Sequence, residues 1–365
     1  MSGGVDSSLA AALLHEQGHD VTGVTMHLWE DDDDRLAESL CCSQEMTASA
    51  RRVCAQLGIP YYVFNYQREF RKHVIEYFLS EYAHGLTPNP CMECNRAIKF
   101  GALLARARQL GYDYVATGHY ARVRANAQGG AALNSFSAQP SAFSLLRSVD
   151  RDKDQSYMLY MLGQEDLARL VFPIGEYSKA EVRALAAERG LASADRPDSQ
   201  DICFVPGGDY RNLLREEQPG CLVPGPIVDQ QGREVGRHEG LPLYTIGQRR
   251  GLGLAGGAPL YVTHLDVARN ALVVGPREAL ERRTLTAVKI SFVSGTPPQE
   301  PVECHAQIRA HADPAPARLT VTGEGRASVE FVAPQRAVTP GQAIVFYDGD
   351  AVLGGGRISP EPNKS

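Results

Sequence analysis

Several things are scarce in this sequence, and each scarcity removes a class of function. No run of about 18 apolar residues occurs among its 365 residues, so no segment is built to cross a bilayer. No charged-then-apolar leader opens it, and the expectation is a cytoplasmic protein without a secretion signal or membrane partner. An excess of positive charge is also missing: 37 Lys and Arg stand against 43 Asp and Glu, a formal net charge of −6. Bulk charge gives nucleic-acid binding no support, so any RNA surface must be local. Candidate patches are Arg51-Arg52, Arg71-Lys72, Arg147 with Arg151 and Lys153, Arg249-Arg250 and Arg282-Arg283. Each taken singly is ordinary solvated surface. The acidic run Glu30 to Asp34 would repel phosphate and reads as a solvated loop. No internal repeat is evident.

Cysteine is present but not in the manner of a secreted scaffold. The eight are Cys41, Cys42, Cys54, Cys91, Cys94, Cys203, Cys221 and Cys304. In a cytosolic chain of this length they are buried apolar residues, metal ligands or catalytic thiols. The adjacent Cys41-Cys42 pair is read as buried structure. Cys91 and Cys94 form C-x-x-C, but no second C-x-x-C or H-x₃-H accompanies them, which argues against a structural zinc.

What remains is ordinary globular material, 43% hydrophobic and 22% charged, too long for one domain. The first half alternates helix and strand. Helical patterns cover 7–17, 47–57, 68–82, 97–110, 154–162 and 179–189, the last with a capping box of Ser178 and Glu181. Strand patterns cover 21–29, 61–64 and 114–117. This rhythm predicts an α/β domain with a doubly wound parallel sheet. A Gly-, Ser- and Asn-rich stretch near 125–142 reads as an insertion within a hairpin. Beyond Cys203 the helical period fades, and Gly and Pro punctuate short strands at 261–266, 272–274, 286–292, 302–309, 318–321 and 343–347. Asp348-Gly349 is a hairpin turn leading to 351–353. The expected domains are 1–209, a small mostly-β domain at 210–283, and a β-barrel at 284–360.

Residues 1–8 read M-S-G-G-V-D-S-S and run straight into the first helix. Glycines let backbone amides approach a phosphate, and the helix N-terminus adds free N–H groups and a positive dipole end. Ser2, Ser7 and Ser8 can donate hydroxyls, and Asp6 can hold the turn or a phosphate-bridging Mg²⁺. This is not a Walker A loop, since no Gly-Lys-Ser/Thr follows. A loop without that lysine suits holding pyrophosphate as a leaving group. Downstream, Pro88 and Pro90 in T-P-N-P-C-M-E-C-N are expected to fix an extended loop before Cys94.

S-G-G-V-D-S resembles the pyrophosphate loop of the N-type ATP pyrophosphatases, the PP-loop superfamily. T-P-N-P-C-M-E-C-N (87–95), T-G-H-Y (117–120), K-D-Q-S-Y (153–157), D-S-Q-D-I-C-F (198–204), G-Q-R-R-G-L-G (247–253), T-P-G-Q (339–342) and L-G-G-G (353–356) resemble the tRNA-specific 2-thiouridylases, in order, along nearly the whole chain. The resemblance implies ATP-dependent 2-thiolation of the wobble uridine of tRNAs for Lys, Glu and Gln, with the base flipped into the site. The cofactors implied are ATP and Mg²⁺. The partners are tRNA and a sulfur-donor protein, either a cysteine desulfurase or a relay carrier. By motif, Met1, Ser2, Gly3, Gly4, Val5, Asp6, Ser7, Ser8, Met26 and Gly118 match nucleotide-binding positions. Cys203 matches the persulfide carrier and Cys94 the nucleophilic partner thiol, so a Cys94–Cys203 disulfide would close each turnover. Asn89, Pro90 and Cys91 match the stretch meeting the target base. His119, Lys153, Asp154 and Gln155 match RNA contacts, as do Arg309, Ala310 and Gln342 on the barrel. Two departures stand out. Some members carry Asp in place of Cys91, and an aromatic often follows the barrel arginine where Ala310 stands here.

In that family a buried strand precedes the loop. Here the loop starts at Met1, so the expectation is a sheet lacking its central strand, with poor folding or weak ATP binding. Three other readings stay open on the residues alone. Cys91, Cys94 and Cys203 could hold a [4Fe–4S] cluster with one open iron. A different adenylating ligase would need no thiols. A non-catalytic RNA-binding remnant would bind tRNA without consuming ATP.

Overall fold

The structure is a computed structural model that describes residues 1–28, 44–126, 141–196, 202–254 and 258–360. The acidic run at 30–34, Cys41-Cys42, most of the insertion and Asp198 to Asp201 lie outside them. Among the described residues no helix is long and apolar enough to cross a membrane.

In the first half the helix Val5–Glu16 follows the phosphate loop. Strand β1 (Gly23–His27) pairs in parallel with β2 (Tyr61–Asn65), and helix Gln44–Leu57 connects them. Strand β3 (Val115–Ala116) pairs in parallel with β6 (Leu170–Val171), while β4 (Ala121–Ala125) and β5 (Phe143–Arg147) form the hairpin that brackets the insertion. The parallel sheet therefore comes in two pieces, β1–β2 and β3–β6. No strand among the described residues joins them. Met1 lies along the inner edge of β1, its ammonium donating to the Val24 carbonyl while Thr25 Oγ1 donates to the Met1 carbonyl at 2.8 Å. Leu9, Ala12 and Val53, all fully buried, tie the first two helices to Val182 and Ala186 of helix Lys179–Glu188.

Two expectations for this half need correction. The predicted helix at 154–162 is only a short turn, Ser156–Met158. Asp154 takes the backbone N–H groups of Ser148 and Ser156 on its own carboxylate, which competes with helix formation. Pro90 does not prolong an extended loop. It occupies the first turn of helix Pro90–Glu93, where its missing N–H costs nothing, and Asn89 caps that turn through Met92 N. The helix continues as a π-helical stretch, Cys94–Leu103, and then as Leu104–Gln109.

The middle of the chain forms a four-stranded sheet in the order β8-β7-β10-β9, from β7 (Gly225–Val228), β8 (Glu234–His238), β9 (Tyr261–Asp266) and β10 (Ala271–Gly275). Its inner residues Ile227, Val262 and Leu272 share one apolar cluster with Phe70, Phe78 and Tyr82 of the first half. Tyr82 stacks on Tyr210 at 4.3 Å. Two domains thus divide a single core, and each fully buried Leu or Phe contributes about 1.5–3 kcal/mol to holding them together.

The last section is β11 (Glu281–Phe292), β12 (Val302–Gln307), β13 (Ala315–Gly323), β14 (Arg326–Arg336), β15 (Ala343–Asp348) and β16 (Ala351–Ile358). Pairing of β11 with β16 closes these six into a barrel, which removes free edges. Ala327, Val329 and Phe331 on β14 face Ile344 and Phe346 of β15 inside it. The β4–β5 hairpin joins this sheet through Leu146 beside Ala351, so the first half and the barrel share a strand ladder. A largely buried ion pair, Arg357 with Glu81, crosses the same junction, and the Arg357 guanidinium lies 5.5 Å from the Tyr77 ring centroid.

Candidate active site

The phosphate loop is shaped by close packing. Gly3 has φ of +75°, and a Cβ there would come within 2.3 Å of the Met46 carbonyl oxygen. Ser49 Oγ donates to the Gly3 carbonyl at 3.1 Å and fixes the same contact. Gly4 caps helix Val5–Glu16 in extended backbone and supplies no side-chain cap, so the first N–H groups of the helix are left for a ligand. Ser2 and Ser7 lie hydroxyl to hydroxyl at 3.2 Å at the mouth of the loop. Ser8 does not join them: it is fully buried and donates to the Gly4 carbonyl at 2.9 Å. Val5 is also core. Met26 is half-buried against the apolar cluster that contains Cys94.

Gly118 follows β3 and packs directly on the loop. A Cβ there would lie 2.7 Å from both Asp6 C and Ser7 N. Asp6 is the loop's carboxylate, and two groups from outside the loop hold it. Tyr120 Oη donates to it at 2.9 Å, and Lys179 Nζ pairs with both its oxygens at 2.7 and 2.9 Å. Sequence reasoning found no lysine for phosphates and missed Lys179. The signal was available: a cation at the first position of a helix opposes the dipole, so Lys179 after the capping Ser178 asks for another partner. One carboxylate is also about what Mg²⁺ draws from a protein when it bridges phosphates, so Asp6 fits that ion.

A hydrogen-bonded clasp runs from this point to the predicted RNA-contact stretch. Tyr120 N donates to Gln155 Oε1 at 3.0 Å, and Gln155 N donates back to the Tyr120 carbonyl at 2.8 Å. Asp150 accepts from Lys153 N and, at 2.8 Å, from Lys179 N. Asp154 is occupied within the protein, accepting from Arg147 Nε at 2.7 Å and from Ser156 Oγ at 3.0 Å. It builds the loop on which exposed Lys153 stands. His119 is buried between Phe100 and Phe172, and burial, followed by the nearby Lys99 charge, pushes its pKa well below the usual histidine range. Lys99 Nζ lies 3.4 Å from Nε2, which makes Nε2 the acceptor, and Nδ1–H then donates to Thr117 Oγ1 at 2.7 Å.

Cys91 is exposed and Cys94 is buried at the start of the π-helical stretch, a distortion that often accompanies functional sites. Asn95 is 3% exposed: its amide nitrogen donates to the Met158 carbonyl at 3.0 Å, and its Oδ1 has no hydrogen-bond partner among the described residues. Cys203 is half-buried against the same apolar cluster as Cys94, next to Phe204, whose ring packs edge-on against Phe78 at 5.1 Å. Cys54, Cys221 and Cys304 sit apart, their thiols pushed up by burial, Cys304 to about 12. Among the described residues no group of three Cys, His, Asp or Glu side chains is placed to hold a metal ion.

On the barrel, Arg309 is exposed and donates to the Arg336 carbonyl at 3.4 Å. Ala310 packs on the core, its carbonyl accepting from Gln307 at 3.0 Å. Gln342 turns inward, its amide donating to the carbonyls of Thr87 at 3.1 Å and Pro88 at 3.4 Å, just ahead of the C-x-x-C stretch.

A glycine loop on a helix N-terminus, lacking the Walker lysine but carrying an Asp–Lys pair, defines a PP-loop nucleotide-binding enzyme, here with two β modules appended. Family models divide the chain in the same sense: a tRNA methyl transferase HUP domain matches residues 1–207, a tRNA methyl transferase PRC-barrel domain 213–276, and an aminomethyltransferase beta-barrel domain 282–358. The tRNA-specific 2-thiouridylase MnmA of Roseiflexus sp. (strain RS-1) is 74% identical over 98% of each chain. That of Chloroflexus aurantiacus (strain ATCC 29366 / DSM 635 / J-10-fl) is 65% identical over 98% of this chain and 97% of the relative, and that of Herpetosiphon aurantiacus is 55% identical over 99% and 97%. The chain belongs to the tRNA-specific 2-thiouridylase family, and is a tRNA sulfurtransferase of the PP-loop type.

Proposed function

We propose that this chain replaces O2 of the wobble uridine by sulfur in tRNAs of the Lys, Glu and Gln type, using ATP and a persulfide on Cys203. The observation that carries this reading is that Cys94 lies in one apolar cluster against which Cys203, distant in sequence, and Met26, which matches a nucleotide-binding position by resemblance, both pack. The uridine O2 attacks the α-phosphorus of ATP, the bond to the β-phosphate bridging oxygen breaks, and pyrophosphate leaves. Lys179, paired with Asp6 of the loop, and the N–H groups ahead of Ser8 supply the positive charge beside the loop that electrostatic stabilisation of that leaving group calls for. The terminal sulfur of the Cys203 persulfide then attacks C2, and AMP departs with O2. The Cys94 thiolate attacks Cys203 Sγ, breaking the S–S bond. This releases 2-thiouridine and leaves a Cys94–Cys203 disulfide. An external thiol reductant restores it, and a sulfur-donor protein reloads Cys203.

The test is mass spectrometry of tRNA nucleosides from cells lacking the protein, complemented with the wild type, Cys94→Ser or Cys203→Ser. The expected result is loss of 2-thiouridine, restored by the wild type alone. Undiminished 2-thiouridine in the deletion, or full restoration by both serine variants, would overturn the proposal.

A further inference from the structure

We propose that the recess between the middle β domain and the barrel is a second RNA-backbone site. It would seat one nucleotide unit of the tRNA with its flanking phosphates on Arg249, Arg309 and Arg336. The inference rests on the tRNA-thiolation reading and adds to it a place, two arginines and a ligand class.

The recess holds about 330 Å³ and is lined from both sides. Arg249 and Tyr261 come from the middle domain, and Arg309, Arg336 and Ala337 from the barrel. This volume is at the lower end of ligand-sized pockets and exceeds what a single phosphate group needs. Its charge is one-sided. Three arginines of the candidate basic patches are neutralised at home: Arg71 by Glu217, Arg147 by Asp154, Arg151 by Asp350. Arg249, Arg309 and Arg336 are exposed and make no ion pair among the described residues, and no acid lines the recess. Glu281 stands opposite Arg336 in the β11–β14 ladder but forms no ion pair with it. In a chain of net charge −6, three such guanidiniums around one hollow form a local positive site. The Tyr261 ring on the wall offers a face for a base.

The walls are held firmly. The turn carrying Arg249 is stitched by Gly247 N to the Val262 carbonyl at 2.8 Å, and by Gln248 Nε2 to the Arg250 carbonyl at 2.9 Å. Across from it Ala337 has φ of +54°, a region unfavourable for alanine, and is locked by its N–H on the Leu280 carbonyl at 3.0 Å and by Thr339 Oγ1 on its own carbonyl at 2.9 Å. A Cβ on Gly247 would lie 2.9 Å from that of Ala337, so the two domains meet here as closely as backbone permits. Guanidiniums carried on walls whose backbone is fixed in this way suit bidentate phosphate recognition.

The test measures binding of unmodified tRNA across a salt series for wild type, Arg249→Gln, Arg336→Gln and the double variant. Arg233→Gln, which removes an exposed charge elsewhere in the middle domain, is the control. Each lost phosphate contact should flatten the slope of log K against log salt by about 0.7–0.9. The double variant should then bind roughly 15- to 30-fold more weakly at about 0.15 M salt, and only about three-fold more weakly at about 0.5 M. Lysine at both positions should keep most of the slope. Coincident binding curves for wild type and double variant, or a loss that is the same at every salt concentration, would refute the site. Inorganic phosphate and AMP are titrated in parallel; tight binding of either that the double variant loses would assign the recess to a free anion and also refute it. Failure of the wild type itself to bind tRNA would instead sink the thiolation reading on which the site rests.

Discussion

Gly118→Ala is the sharpest perturbation of the nucleotide site, because its magnitude can be worked from contacts. The added methyl would lie 2.7 Å from Asp6 C, 2.7 Å from Ser7 N and 3.0 Å from Asp6 O. Heavy atoms in contact prefer about 3.5–4.0 Å, so roughly 1 Å must be found somewhere. Neither side yields easily. The Gly118 segment is held by Thr117 N on the Val171 carbonyl at 3.1 Å and by the Tyr120–Gln155 clasp, and the loop is held by Ser49 on Gly3. The atoms struck are backbone at the first turn of the helix, so the displacement passes to the amides proposed to face the phosphates. Misplacement of about 1 Å costs on the order of 100-fold in rate, and overpacking costs about 1–3 kcal/mol in stability. The assay is tRNA-dependent pyrophosphate release at limiting and saturating ATP, with a thermal melt alongside. The expected outcome is kcat/KM for ATP down about 100-fold, with Gly220→Ala, whose Cβ would meet nothing within 4 Å, unchanged. Gly118→Ala activity within about three-fold of wild type at an unshifted melting midpoint would refute the reasoning.

Two further outcomes follow from the same geometry. Lys179→Met should lower the rate of pyrophosphate release by about 100- to 1000-fold, the usual cost of losing one preorganised group facing developing charge, with Lys179→Arg recovering part of it; equal rates for Met and wild type would remove Lys179 from the site. His119 is held neutral by burial and by Lys99, so its folded pKa lies below the unfolded value of about 6.5. Its contribution to stability is full above about pH 6.5 and is lost as pH falls from there towards the folded value, on the order of 1 kcal/mol per pH unit. Urea midpoints at neutral and acidic pH should show this loss in wild type and a smaller one in His119→Phe; identical acid sensitivity would show that His119 is not its source.

Much of this architecture was legible because its signals are local. A glycine-serine run ahead of a helix, the Ser178–Glu181 capping box and the Asp348-Gly349 turn each impose their geometry within a few residues. The sequence pattern at 261–266 matches the observed bounds of β9, while the expected strands do not include β14 even though buried Ala327, Val329 and Phe331 alternate along it. The expected helix at 154–162 is absent for a local reason, the Asp154 carboxylate, and Pro90 starts a helix rather than an extended loop because proline suits the first helical turn. What could not be read was long-range. The Lys179–Asp6 pair joins residues 173 positions apart, and nothing along the chain announces that the β4–β5 hairpin will extend the barrel's ladder.

Those long-range contacts change how the barrel relates to the chemistry. Gln342, which matches an RNA-contact position by resemblance, donates to the carbonyls of Thr87 and Pro88, and Thr87 N donates to the Pro340 carbonyl at 2.9 Å. The barrel's T-P-G-Q turn therefore carries the segment that leads into Cys91 and Cys94. From there Asn89 reaches the Met158 sulfur at 3.6 Å, and Asn95 reaches its carbonyl. Met158 lies just beyond Gln155, which clasps Tyr120, and Tyr120 holds Asp6 of the phosphate loop. Hydrogen bonds thus run in sequence from the barrel turn through the 87–89 segment and Met158 to the Tyr120–Gln155 clasp, joining the barrel to the helix start that carries Cys94. An RNA seated across the barrel and the middle domain would act on the very turn that positions Cys94. Binding energy from the tRNA body would then reach the reacting thiol through position, with no contact between the two.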